Sequence, residues 1–251
     1  MIIRVNGKKL VNALEDISLK GKYYNGTTGK NGQLSNFAYA ETDNLNQIMI
    51  YNADHATVCK IVLEARCEFT HSSSVVFDID KTIKYLKPFG DTTIEMHIDD
   101  YILLINETST AKIPKVLDHP ASAMIERFKQ LFQLPEDGMP TFGKTTFESK
   151  VVVLAEDLSD ATKACDAVNN AKYKFDTSNN EFIMSSERSN LDKFEITVDT
   201  LTQEGESATV EFTGQFHKFM KNNATIYMKD DAPVLFVSRN RVLLKAPYLE
   251  R

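Results

Sequence analysis

The chain repeats itself once. Lys84-Tyr85-Leu86-Lys87, Thr93-Ile94-Glu95-Met96 and Asp99-Asp100 return in the same order as Lys218-Phe219-Met220-Lys221, Thr225-Ile226-Tyr227-Met228 and Asp230-Asp231. The first copy runs into the apolar stretch Tyr101-Ile102-Leu103-Leu104-Ile105 and the second into Val234-Leu235-Phe236-Val237, so each block reads helix, strand, acidic turn, strand. The offset falls only from 134 residues, Lys84 to Lys218, to 131, Asp99 to Asp230, a drift that short turn deletions account for. A period near half of a 251-residue chain implies two copies of one domain rather than a solenoid of short units. Each copy is long enough to enclose its own core.

The remaining elements fit that grammar. Residues 2–5 alternate as a strand, and residues 8–17 place Leu10, Leu14 and Ile17 at helical spacing. Residues 23–36 hold Gly26, Gly29 and Gly32 among Asn, Thr and Ser, which predicts an exposed loop. Strands are predicted at 47–51, 57–63 and 74–79, then a helix over 81–89 that Pro88 and Gly90 help to end. The second half predicts a strand at 147–153, a helix over 155–168, strands at 172–175, 181–184, 194–198 and 208–212, and a helix over 214–222. Between the halves, residues 123–132 have the pattern of a short helix and 135–143 that of open loop. The organisation is a domain at 1–117, a connector at 118–146 and a second domain at 147–251.

Composition excludes several function classes. With 42% hydrophobic and 25% charged residues, usage is that of a globular protein, and no apolar run approaches the roughly 20 residues that span a bilayer. The N-terminus lacks the charged region and apolar stretch of a signal peptide, so an intracellular protein is expected. Cys59, Cys67 and Cys165 are too few and too scattered for a disulfide framework or a metal site, and read as structural thiols. The net charge of −6 argues against a nucleic-acid binder unless the basic residues are gathered on one face.

All four predicted domain helices offer lysine. Lys8 and Lys9 fall on the first, Lys81, Lys84 and Lys87 on the second, Lys163 on the third, and Lys218 and Lys221 on the fourth. A solvated helix face ordinarily carries lysine balanced by an acid four residues away, but both Lys-x-x-Lys pairs flank apolar residues, and Lys218 and Lys221 have no acid at those positions. A surface lined by such helices attracts phosphates without reading bases.

In element order the chain resembles the DNA sliding clamps of the proliferating cell nuclear antigen (PCNA) type. The segment running from Ile48 through Met49, Tyr51, Asp54 and His55 to Val58 is similar to that family's strand and turn before a histidine. Asp230-Asp231-Ala232-Pro233 resembles its acidic turn and proline, and Lys245-Ala246-Pro247 its C-terminal Ala-Pro. The resemblance implies an α+β DNA clamp fold of two duplicated domains, with antiparallel sheets outside and two helices per domain lining a central channel. It also implies a homotrimeric ring, with no catalysis, cofactor or metal. Double-stranded DNA would meet Lys8, Lys9, Lys84, Lys87, Lys163, Lys218 and Lys221 without sequence preference. A clamp loader, DNA polymerase and other replication and repair enzymes would be the partners. They would dock through short helical motifs on Tyr51, His55, Val58, Met139, Pro140, Pro233, Leu244, Ala246 and Pro247. Ring closure would pair a strand near 110–116 with one near 172–175. Leu244, where the family often has an aromatic, and the glycine-rich loop 21–36 would suit a divergent archaeal or viral member.

Two other readings compete. One is a clamp-like subunit of a hetero-oligomer or of a viral transcription complex, which the sequence alone does not separate from a homotrimer. The other is a metal-dependent phosphoryl-transfer enzyme built on Asp78, Asp80, Glu95, Asp99-Asp100 or Asp230-Asp231. The Asp pairs lie between strands, where Asp is an ordinary turn residue, and the chain has no Gly-rich nucleotide cradle.

Overall fold

The computed structural model describes residues 1–18, 36–42, 46–68, 74–168, 172–189, 192–214 and 216–248. Apart from Asn36, the glycine-rich loop 21–36 lies outside them. The described residues form two compact units. One holds the chain up to Ile125 without the His55–Val58 turn, and the other holds that turn and the chain from Glu126 onward.

In the first unit, one sheet runs Arg66–Glu68, Ile2–Asn6, Thr93–Ile98, Tyr101–Ile105, Thr110–Pro114. The neighbouring strands are Thr57–Glu64, Gln47–Ala53, Phe37–Thr42 and Ser74–Asp78, in that order. Two helices accompany them, α1 (Gly7–Ile17) and α2 (Ile79–Leu86), the latter extended by a 3-10 turn at Lys87–Phe89. Both helices start on a side-chain cap: Asn6 accepts from the Lys9 amide at 2.9 Å and Asp78 from the Lys81 amide at 3.0 Å. Leu10, Leu14 and Ile17 of α1 and Ile79 and Leu86 of α2 are buried with Ile3, Phe77, Ile94 and Met96.

The second unit repeats the topology strand for strand. One sheet segment runs Thr202–Gly205, Ser149–Leu154, Asn223–Met228, Val234–Ser238, Arg241–Lys245, and the other sheet runs Asp192–Thr197, Ile183–Ser189, Lys172–Asp176, Thr209–Thr213. Register locates the equivalence. Asn6 pairs with Thr93 and Leu154 with Asn223, and the first amide of each helix donates to the residue before its partner strand, Gly7 to Thr92 and Ala155 to Asn222. Thr93 therefore corresponds to Asn223, two residues from the Thr225 that the letters suggest. A two-residue slip keeps the same face of a strand inward, so the core is unaffected.

Here the helices differ from expectation. A helix, α3 (Ser122–Leu131), stands in the connector, where Phe128 stacks on Phe132 with ring centroids 4.9 Å apart. Another, α4 (Ala155–Asp166), matches the predicted third helix. The predicted helix at 214–222 is instead a single 3-10 turn, His217–Phe219. Its N-cap residue Phe216 provides no side-chain hydrogen bond, and Gly214 lies in the left-handed region at φ 84°. The ring of Phe216 is drawn into an aromatic core, stacked on Phe236 at 4.9 Å and set against Phe175 and Phe212. Residues 216, 217, 219 and 220 are all buried, which leaves little of the polar face that an amphipathic helix needs.

A second correction concerns strand edges. Lys172–Asp176 has a strand on each side, Ile183–Ser189 and Thr209–Thr213, so it has no edge to offer another chain. Among the described residues, the outermost strands of that sheet are Asp192–Thr197 and Thr209–Thr213, and those of the first unit's five-stranded sheet are Arg66–Glu68 and Thr110–Pro114.

Candidate functional site

The amphipathic pattern of α1 leaves Lys8, Lys9, Asn12 and Glu15 exposed, and that of α2 leaves Asp80, Lys81, Lys84 and Tyr85 exposed, with Lys87 just beyond. Acidic neighbours do accompany these lysines: Asp80 stands four residues before Lys84 on α2 itself, and Glu15 and Asp91 come from other elements. Lys87 approaches Glu15 of α1 at 3.4 Å, and Lys8 approaches Asp91 at 3.5 Å. A hydrogen bond from Asn6, and then the charge of Lys8, hold Asp91 below the usual carboxylate pKa. Both pairs are well exposed and contribute little to stability, so their lysines remain open to phosphate. Lys9 and Lys84 make no ion pair among the described residues.

The second unit presents a different surface. Lys163 is the one lysine of α4, pairs with Asp160 at 2.7 Å, and shares the helix with Glu156, Asp157 and Asp166. The acids at the start of α4 complement its N-terminal partial charge, since Leu154 supplies no side-chain cap. Lys218 is exposed on the 3-10 turn, and Lys221 follows it in coil, where its backbone exchanges hydrogen bonds with the Ser238 hydroxyl.

The expected docking residues separate into groups. His55 is exposed in the turn, and the Ala56 carbonyl accepts from the Ala246 amide at 2.8 Å. Pro247 meets Phe212 in an isolated bridge, and Pro233 directly precedes Val234, the cross-strand partner of Lys245. His55, Pro233, Ala246 and Pro247 thus gather on one part of the second unit. Val58 and Leu244 are 7% and 5% exposed and support this patch from within. Tyr51 is buried as well, with its ring 6.1 Å from Tyr39. Pro140 is buried beside Phe147, and Met139 packs instead over Gly205, whose φ of 89° and closeness to the Glu148 carbonyl exclude a side chain.

Three of the acids considered for metal binding, Asp78, Asp230 and Glu95, have structural partners. Asp78 caps α2, Asp230 accepts from the Thr209 amide at 2.6 Å, and Asp231 occupies a left-handed turn position at φ 56°. Glu95 is held below its usual pKa first by His97 and then by Arg4. No cluster of metal-ligating residues occurs among the described residues. Burial pushes the Cys165 thiol up to about 12, which makes it a poor nucleophile.

Sequence reasoning missed Lys245, fully buried at the end of the last strand between the patch residues Leu244 and Ala246. Its position directly after the apolar run Val242-Leu243-Leu244 was the available signal.

The arrangement defines the fold of the DNA sliding clamps. No protein-family model matches the chain, and no curated protein sequence does. Solved structures do match. The DNA polymerase III beta chain of Streptococcus pneumoniae superposes over 98% of this chain and 64% of its own, with a TM-score of 0.75 at 13% identity. The PCNA of A. fulgidus, solved with the C-terminal region of FEN-1, is covered over 100% of both chains, with a TM-score of 0.70 at 14% identity. The PCNA of Thermococcus kodakaraensis is covered over 98% of this chain and 99% of its own, with a TM-score of 0.69 at 16% identity. The chain therefore spans about two-thirds of the beta chain and essentially the whole of each PCNA chain.

Proposed function

We propose that this chain is a DNA sliding clamp, a non-catalytic processivity factor that closes into a ring of three copies around duplex DNA. The carrying observation is the end-to-end match to PCNA chains, combined with one topology written twice in sequence. The domains in this reading are 1–117 and 147–251, joined by the connector 118–146. Lys8, Lys9, Lys84, Lys87, Lys163, Lys218 and Lys221 face the DNA. Lysine is a flexible point charge, and contact with phosphate alone leaves every register equivalent, so the duplex slides while the closed ring keeps the clamp on it.

Ring closure pairs Thr110–Pro114 of one copy with Asp192–Thr197 of the next, since both are outermost strands with backbone groups to offer. His55, Pro233, Ala246 and Pro247, backed by Val58 and Leu244, receive the apolar and aromatic anchors of a polymerase or repair enzyme. A clamp loader places the ring on DNA inside the cell.

Light scattering across a concentration series tests the assembly, because three chains of 28.4 kDa make 85.2 kDa. A steady mass near 85.2 kDa, together with retention on closed circular DNA that is lost when the circle is cut, is the expected result. A mass of 28.4 kDa at every concentration, or equal retention on cut and closed DNA, removes the homotrimeric clamp from consideration.

A further inference from the structure

The side chain of Lys245 is 1% exposed, although lysine is seldom buried unless its ammonium is fully engaged. Its Nζ donates to the Thr213 carbonyl at 2.6 Å and to the Thr57 hydroxyl at 3.3 Å. One side chain therefore joins three segments of the second unit: the His55–Val58 turn, the end of the Thr209–Thr213 strand, and the end of Arg241–Lys245. Around it, the backbone makes the same connections. Ala246 donates to Ala56 at 2.8 Å, Pro247 bridges Phe212, and Tyr248 donates to the Glu211 carbonyl at 2.7 Å while its ring lies 4.4 Å from the Lys172 ammonium.

We propose that Lys245 is the positioning residue of the peptide-docking surface: its ammonium ties the His55 turn to the Ala246-Pro247 segment, so that both are held ready for a partner's helical turn. This rests on the docking reading above and deepens it. The ammonium carries three donors, and so meets acceptors from two separate segments at once. An apolar residue here, such as its neighbours Leu243 and Leu244, would leave the Thr213 carbonyl and the Thr57 hydroxyl without that donor. Affinity for a short peptide depends on how little the surface must be ordered on binding, so loosening the tie weakens docking before it disturbs the strands.

The test is fluorescence anisotropy of the full-length protein with a labelled amphipathic peptide of one helical turn bearing apolar and aromatic anchors. Lys245→Met should weaken binding by about tenfold, the loss of pre-organisation acting on affinity alone. Mass and retention on circular DNA should stay those of the wild type. Lys245→Gln, whose amide still donates, should recover part of the affinity, and amide hydrogen exchange at Ala246 should speed up in Lys245→Met and less in Lys245→Gln. Undiminished peptide binding by Lys245→Met overturns the proposal while leaving the docking reading intact. If the wild type itself fails to bind the peptide, the docking reading falls, and the proposal with it. Should Lys245→Met not fold, Thr57→Val removes only the hydroxyl arm, and wild-type affinity in that variant overturns the proposal.

Discussion

Apart from three short strands of the second unit, Phe132–Gln133, Thr141–Phe142 and Thr145–Thr146, the two units share one strand plan, and they differ most in their second helix. In the first unit Asp78 caps α2, and the exposed residues of α1, α2 and the following turn include Lys8, Lys9, Lys81, Lys84 and Lys87 against Glu15, Asp80 and Asp91. In the second, the counterpart of α2 is one 3-10 turn, and α4 carries four acids against Lys163. A duplicated scaffold conserves what the core requires, the strand order and the inward faces. Helix length and surface charge answer to local capping and to solvent, and so diverge freely. The consequence for a DNA-facing role is that phosphate attraction is concentrated on the α1–α2 face and on Lys218 and Lys221, while α4 contributes little.

Two buried histidines, one in each unit, offer the strongest way to break that comparison. His119 uses both ring nitrogens: Nδ1 accepts from the Ala121 amide at 2.9 Å, so the proton belongs on Nε2, which faces the Phe37 carbonyl at 3.0 Å. His217 is buried too, yet its Nδ1 has no hydrogen-bond partner among the described residues. His119→Ala should cost about 2 kcal/mol, from lost hydrogen bonds and a cavity, whereas His217→Phe should change stability by less than about 1 kcal/mol. Chemical denaturation of each variant measures this. Equal losses would mean that the two turns are held in the same way despite their different hydrogen bonding.

Charge reversal sharpens the comparison at the proposed DNA-facing lysines. Lys84→Glu with Lys87→Glu should weaken DNA binding by at least about tenfold at low salt and flatten the slope of log affinity against log salt by about 2. Lys163→Glu, on a helix whose four acids already repel phosphate, should move affinity less than about threefold. Titrations at several salt concentrations report both, and a larger effect at Lys163 would reverse the assignment of the two faces.

The smallest effect is a pH dependence. Burial first of all, and then Lys218, hold His217 below the ordinary value of 6.5, and burial holds His119 below it too. The unfolded chain therefore takes up these protons before the folded one does. Stability is complete above about pH 6.5 and declines as pH falls from there toward the lowered folded values. Unfolding midpoints at pH 7.5 and 5.5 should show the decline, and His217→Phe should reduce it. A midpoint that rises on acidification would contradict the sign.

Periodicity carried much of the fold. Alternating strands such as Thr93–Ile98 and Tyr101–Ile105, and the amphipathic runs of α1 and α4, were legible because one face is apolar and the other is not. Arg241–Lys245 was not legible, since residues 243–245 are all buried and alternation is lost, nor was Thr202–Gly205, a polar outermost strand with no apolar face. The 214–222 segment misled for the same kind of reason: its Lys-x-x-Lys spacing suits a helix, but Phe216 is claimed by the aromatic core. For the candidate site, the exposed lysines and His55, Ala246 and Pro247 were named from sequence. That Met139 packs on Gly205 and that Lys172–Asp176 is an inner strand were not readable there.

By itself the sequence determined that one domain plan occurs twice, that its strands have an inner and an outer face, and that the amphipathic runs offer lysine on their polar face, because these are local regularities of spacing and composition. Only the tertiary structure decided which acids neutralise which lysines, which strands keep a free edge, and where the buried ammonium of Lys245 finds its acceptors. Each of those depends on residues far apart in the chain meeting at hydrogen-bonding distance, and no local pattern encodes such a meeting.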